Sequence, residues 1–369
     1  MAVMKSPRNV DLEITTRCNL RCTYCSHFSS AGDVEQDLPK EEWLSFFDEL
    51  GRNSVMEVCL SGGEPFSRPD LTELIDGIVR NRMRYTILSN GTLITDELSA
   101  FLASTGRCSS VQVSIDGSMP EYHDIQRGRG TFEKAVNGIR FLQNRGVPVT
   151  VRVTIHRHNV HDLEAVAKML LEDIGLPNFS TNTASYLGTC RENAEALFLT
   201  VEDRTCAMET LLRLCRKYPG RINAAAGPLA EGRMWLEMEK ARREGLEAIP
   251  GRGFLTGCGC VHSKVGVRAD GVMVACCLLP HMELGRINRD DLQKVWQNHP
   301  QLVRLRERHC ISLASFEFCK GCDYINYCTG NCPALAYTFC NTDEHPSPDA
   351  CLRRFLESGG KLPDENMLV

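Results

Sequence analysis

The chain has 369 residues, of which 24% are charged and 43% hydrophobic, with a net charge of −5; such a chain has room for two domains and a sizeable core, and its composition excludes a disordered protein. The negative balance excludes a nucleic-acid binder that works through bulk charge. No apolar signal core occupies residues 1–10, and the longest obvious apolar run, residues 272–279, is too short to span a bilayer, so a cytoplasmic protein with no membrane and no nucleic-acid partner is expected.

Apolar, β-branched runs predict strands at 10–14, 55–60, 85–89, 111–115, 149–155 and 178–184. Helical patterns at 40–50, 70–80, 96–104, 132–145, 162–174 and 201–217 fit between and after them, several behind Pro, Ser, Thr or Asp caps. This alternation predicts an α/β fold with a parallel sheet and right-handed crossovers over residues 1–225. A charged helical stretch at 229–247, set between Gly227-Pro228 and Ile249-Pro250-Gly251, predicts a bridging helix within a linker at 226–255. Its Arg233, Lys240, Arg242 and Arg243 read as a solvated face. A cysteine-rich region fills 256–369.

Cys18, Cys22 and Cys25 are separated by three residues and then two. Three thiolates on so short a loop can hold three corners of a 4Fe-4S cube and leave one iron open. The rival is a zinc knuckle, although zinc sites usually pair C-x2-C with a second pair and His27 is a poor fourth ligand. Each unusual loop follows the C-terminal end of a predicted strand, where barrel-type folds build their sites. After the second strand comes Ser61-Gly62-Gly63-Glu64-Pro65, whose glycines permit close backbone approach and whose Glu64 offers a carboxylate to an ammonium group. Ser89-Asn90-Gly91 follows the third strand, and Ser114-Ile115-Asp116-Gly117 ends the fourth, ahead of His123, Asp124 and Arg127. The competing readings are plain turns for the glycine motifs, a surface ion pair for Arg127, and structural loop roles for His123 and Asp124.

Nineteen cysteines without a secretion signal point to metal rather than to disulfides. Cys260, Gly271 and Cys276 precede Cys319, Cys322, Cys328 and Cys332, which are spaced C-x2-C-x5-C-x3-C, and Cys351 follows. A treble-clef zinc domain and a two-cluster ferredoxin are rival readings; Cys332-Pro333 echoes the end of the ferredoxin run, but the middle spacing differs.

The Cys18 to Cys25 loop, with Tyr24 before its last cysteine, resembles the radical S-adenosylmethionine (SAM) superfamily, and the later cysteine field resembles the SPASM domain of its peptide and protein maturases. The resemblance implies a partial (βα)6 TIM-like barrel followed by a small SPASM domain, with three 4Fe-4S clusters, one SAM-binding and two auxiliary. By the same resemblance the open iron takes the amino nitrogen and carboxylate of SAM, and the Tyr24 backbone lies near its adenine. Gly62, Gly63 and Glu64 match the motif that binds SAM's amino group, Ser89 and Asn90 the segment that reaches its ribose, and Ser114 and Arg127 the pair that holds its carboxylate. Mapped residue by residue, one auxiliary cluster falls to Cys258, Cys260, Cys276 and Cys332, or is open if Cys258 does not ligate. The other falls to Cys319, Cys322, Cys328 and Cys351, with Cys340 the alternative to Cys351. Most of the remaining cysteines, Cys59, Cys108, Cys190, Cys206, Cys215, Cys310 and Cys340, read as buried small hydrophobes.

The activity implied is an oxidoreductase that cleaves SAM to a 5′-deoxyadenosyl radical and takes a hydrogen atom from a peptide or protein side chain, for crosslinking, oxidation or epimerisation. An electron donor such as flavodoxin or ferredoxin is implied, and a leader peptide would be read directly or by a separate adaptor. Cys277 follows the cysteine beside which sulfatase maturases keep a catalytic aspartate; it is a candidate hydrogen donor, against simple packing or service as a reserve ligand. The alternatives are a small-molecule enzyme of the heme-pathway or aminoglycoside type and a non-enzymatic iron-sulfur carrier or zinc scaffold.

Overall fold

In the computed structural model, which describes residues 3–27 and 37–367, strand β1 (Asn9–Thr15) lies at the centre of the sheet. Its period-two pattern sends Val10, Leu12 and Ile14 into the main core, while Glu13 faces an interior cavity. Strands β2 (Glu57–Gly62), β3 (Arg84–Ser89), β4 (Cys108–Ser114), β5 (Val149–Ile155), β6 (Phe179–Thr183) and β7 (Ile222–Ala224) follow, each parallel to the one before. Helices Lys40–Arg52, Leu71–Arg80, Asp96–Ser104, Thr131–Asn144, Leu163–Lys168 and Val201–Lys217 make the crossovers. Trp43, Phe46 and Phe47 of the first of these helices are fully buried in the core. The last is opened by a capping box, in which Thr200 Oγ1 accepts from Asp203 N and the Asp203 carboxylate accepts from Thr200 N.

The expected partial barrel is present, with two additions. Three-residue β7 extends the parallel set by one strand, and it is too short to leave a pattern in the sequence. On the other side of β1, strand β8 (Lys264–Val267) pairs in parallel, Asn9 against Lys264 through Leu12 against Val267, and β9 (Val272–Val274) and β10 (Glu283–Arg286) continue antiparallel. The cysteine-rich region therefore begins as an extension of the barrel sheet, which runs β10-β9-β8-β1-β2-β3-β4-β5-β6-β7 among the described residues.

The bridging helix spans Pro228–Arg243 and is packed rather than free, since Trp235 is fully buried with its ring 4.8 Å from that of Phe355. A further helix, Pro120–Arg127, was not expected; Pro120 starts it and it carries His123 and Arg127 into the interior. Among the described residues no helix is long and apolar enough to cross a membrane.

Candidate active site

At the C-terminal ends of the strands lies a cavity of about 790 Å³. Cys18, Cys22, Tyr24 and Cys25 line one wall, and Gly62, Gly63, Ser89, Asn90, Ser114 and Arg127 line the next, so loops after four different strands converge as the sequence reading requires.

Close backbone packing builds that corner. Gly63 N donates to Thr15 O and Glu64 N to Arg17 O, both at 2.8 Å, which carries the β1–β2 ladder beyond the strands into the cysteine loop. A Cβ on Gly62, whose φ is +121°, would lie 2.2 Å from Thr15 O, and one on Gly63 would lie 2.1 Å from Arg17 O. Only glycine fits either place.

Glu64 sits behind this wall, fully buried. Its Oε2 accepts from Asn90 N at 2.7 Å, and its Oε1 accepts from Ser89 Oγ at 2.9 Å and Phe66 N at 3.1 Å. Burial pushes the carboxyl up to about 7, with those donors pulling the other way. The sequence reading aims Glu64 at an ammonium; in the structure its oxygens bind the β2 loop to the β3 loop. Asn90 Nδ2 in turn donates to Asn19 Oδ1 at 2.9 Å, tying the same corner to the cysteine loop.

Asp116 organises the third side and was not singled out as a site residue. One carboxylate oxygen accepts from Arg127 Nε at 2.5 Å and from the Tyr24 hydroxyl, and the other accepts from Thr154 N at 2.9 Å. Burial alone would raise this carboxyl, but the Arg127 guanidinium outweighs it and holds Asp116 at about 2. Arg127 stands 5.4 Å from the Tyr24 ring centre and still reaches the cavity. The available signal for Asp116 is a lone charge directly after a buried strand. His123 and Asp124 behave as structural groups, His123 Nδ1 accepting from Asp116 N at 3.2 Å and Asp124 holding Gly130 N and Phe132 N.

The opposite wall comes from the cysteine-rich region: Arg268, Cys277, Leu278 and Pro280. Cys277 and Glu13 line the cavity together, and a Cβ on Gly266 of β8 would lie 3.0 Å from Cys277 Sγ. Burial pushes Glu13 up to about 7 and the Cys277 thiol well above its ordinary value. Asn182, at the end of β6, also faces the cavity, and its Oδ1 is buried without a hydrogen-bond partner. Glu13, Asn182 and Arg268 are additional cavity residues; the recoverable signal for Glu13 is a carboxylate inside an otherwise apolar strand.

The other cysteines fall into two sets. Cys258 takes φ +52°, a left-handed conformation rare for a side-chain-bearing residue, and Cys260, Cys276 and Cys332 lie near enough to perturb its thiol. Cys319, Cys322, Cys328 and Cys351 line one small cavity, whereas Cys340 Sγ lies 3.4 Å from His345 Nδ1. Among the described residues no three His, Cys, Asp or Glu side chains converge as on a single metal ion. In softness, the three thiols at the open wall and the thiols of the two later sets suit iron-sulfur ligation. Of the spare cysteines Cys190 and Cys215 are buried, Cys59, Cys108, Cys206 and Cys340 are half-buried and Cys310 is exposed, so the expectation that most are buried is not met.

Comparison with known proteins agrees with this arrangement. The radical SAM superfamily model matches residues 12–170, and the SPASM model, an iron-sulfur cluster-binding domain, matches residues 258–323. Fe-coproporphyrin III synthase of Methanosarcina barkeri is 29% identical over 335 residues, covering 86% of this chain and 81% of that one. PqqA peptide cyclase of Ruegeria pomeroyi is 24% identical over 328 residues, covering 88% and 82%. SuiB of Streptococcus suis, solved bound to its precursor peptide SuiA, shares the fold with a TM-score of 0.71 at 15% identity, over 95% of this chain and 77% of that chain.

Proposed function

We propose that this chain, whose residues 12–170 match the radical SAM superfamily model and whose residues 258–323 match the SPASM iron-sulfur cluster-binding domain, cleaves SAM to a 5′-deoxyadenosyl radical and takes a hydrogen atom from a peptide or protein side chain. The observation that carries the proposal is that one cavity is lined both by Cys18, Cys22 and Cys25 and by Cys277 and Arg268. Cys18, Cys22 and Cys25 would hold a 4Fe-4S cluster that would supply the electron for SAM cleavage, and the two later thiol sets would hold clusters able to relay electrons.

The chain's own residues bind and orient. Gly62 and Gly63 keep the backbone close at the SAM wall, and Ser114 and Arg127 offer a hydroxyl and a forked guanidinium to SAM's carboxylate. Asp116 and Tyr24 hold that fork in place. Glu13, Cys277 and Arg268 form the wall that faces the substrate. Burial keeps Cys277 as the neutral S–H that a hydrogen donor needs, and solvent deuterium in product, lost in Cys277→Ala, is the sign of that role.

Peptide-modifying relatives matched across most of the chain support a peptide substrate. A second reading, a tetrapyrrole substrate, is favoured by the match to Fe-coproporphyrin III synthase. The test incubates reconstituted enzyme anaerobically with SAM, dithionite and either a deuterated candidate precursor peptide or a deuterated porphyrin-type precursor of Fe-coproporphyrin III. Deuterium in 5′-deoxyadenosine from the peptide supports the proposal. Deuterium from the porphyrin alone favours the second reading, and absence of 5′-deoxyadenosine overturns both.

A further inference from the structure

A second groove, of about 510 Å³, runs along the outer side of the cysteine loop. Asn19, Leu20 and Arg21, the segment between Cys18 and Cys22, line it, and exposed Arg129 and Lys134 stand on its other side. Among the described residues it is lined by no carboxylate, in a chain whose net charge is −5. Leu20 and Arg127 line both this groove and the main cavity, so the same side chains separate the cysteine site from the outside. The loop is held firmly there: Arg21 Nη1 donates to the carbonyls of Cys18 and Leu20, each at 2.9 Å, and Asn19 Nδ2 donates to Thr92 Oγ1 at 2.8 Å.

We propose that this groove is the docking site of an acidic one-electron carrier protein. The inference rests on the SAM-cleaving reading, because that reaction consumes one electron at the Cys18, Cys22 and Cys25 site. The carrier is oxidised by one electron, the cluster at those thiols is reduced by one, and no atom changes hands. The main cavity is given over to SAM and substrate, which leaves the other side of the loop, where the dividing wall is shared by Leu20 and Arg127, as the direct approach for an electron. Basic side chains on that approach steer an acidic partner and set its orientation. A nucleic acid or an acidic peptide would feel the same charge, but neither makes use of the position over the cysteine loop.

Reduced flavodoxin is the probe, used with the full-length reconstituted enzyme and with the double variant Arg129→Glu/Lys134→Glu. Stopped-flow absorbance reads the rate of cluster reduction, calorimetry reads flavodoxin binding, and dithionite-driven 5′-deoxyadenosine formation reads the reaction without a protein donor. The expected result is a wild-type reduction rate that falls about tenfold from low to high salt. The double variant should bind more weakly, react about tenfold more slowly at low salt and lose the salt dependence, with dithionite-driven turnover unchanged. Arg129→Lys/Lys134→Arg should behave as wild type. Unchanged flavodoxin binding and reduction in the charge-reversed variant, or no binding to wild type, overturns the docking site. Absence of dithionite-driven 5′-deoxyadenosine from wild type overturns the underlying reading instead, and the binding measurement still decides the docking site.

Discussion

The Glu64 carboxylate accepts the backbone N–H of Asn90 at 2.7 Å, and by adding the Ser89 hydroxyl at 2.9 Å it fastens the glycine loop after β2 to the loop after β3. Gln in its place supplies one acceptor oxygen instead of two and turns an N–H2 toward groups that donate. Leaving a buried donor unsatisfied costs about 1–3 kcal/mol. Glu64→Gln is therefore expected to lower stability by that amount and to weaken SAM binding through displacement of the wall. Urea unfolding and SAM calorimetry measure the two effects, and a variant unchanged in both would contradict this role.

Asp116 and Arg127 form a buried ion pair that also fixes Tyr24. Asp116→Asn removes the counter-charge and leaves the guanidinium stranded, which typically costs about 3–5 kcal/mol. The double change Asp116→Asn/Arg127→Met should be less destabilising than Asp116→Asn alone, because it also removes the stranded charge. Unfolding free energies of the two variants decide it; a double variant less stable than the single one would show that the pair is not coupled in this way.

Glu231 gives stability a pH dependence. Burial raises its carboxyl from 4.5 to about 7, only partly offset by Arg204, whose Nε lies 3.8 Å away, with Asp349 adding to the rise. The folded state thus holds the proton more tightly than the unfolded state. The contribution is complete below pH 4.5 and is lost as pH rises through about 7, an effect on the order of 3 kcal/mol. Glu231→Gln should make the fall in stability between about pH 4.5 and 7 shallower. Unfolding curves for both proteins across that range test it, and equal slopes would contradict it.

Much of the barrel is legible because its strands are buried on alternate faces. Val149, Val151, Val153 and Ile155 give β5 its full extent, and the helices Asp96–Ser104 and Val201–Lys217 begin and end where the caps and periodicity place them. The β1–β8 pairing leaves no comparable signal, since Val265 and Val267 find Val10 and Leu12 only through a parallel contact between segments far apart in the chain. The site divides in the same way. The cysteine loop and the two glycines are local motifs with local reasons, whereas the value of Asp116 lies in bringing Tyr24, Arg127 and Thr154 together from three loops and strands. The placing of Glu13 and Cys277 on one cavity follows from the β1–β8 join and is equally invisible to a local pattern.

The most direct test of the central claim, that Cys18, Cys22 and Cys25 hold a SAM-cleaving cluster beside two auxiliary ones, is iron content measured together with 5′-deoxyadenosine formation in wild type and in the Cys18→Ala/Cys22→Ala/Cys25→Ala variant. Anaerobically reconstituted wild type is expected to hold about twelve irons, and the variant about eight. Wild type should release 5′-deoxyadenosine with SAM and dithionite, and the variant none. A variant that keeps the wild-type iron content, or still cleaves SAM, would contradict the account.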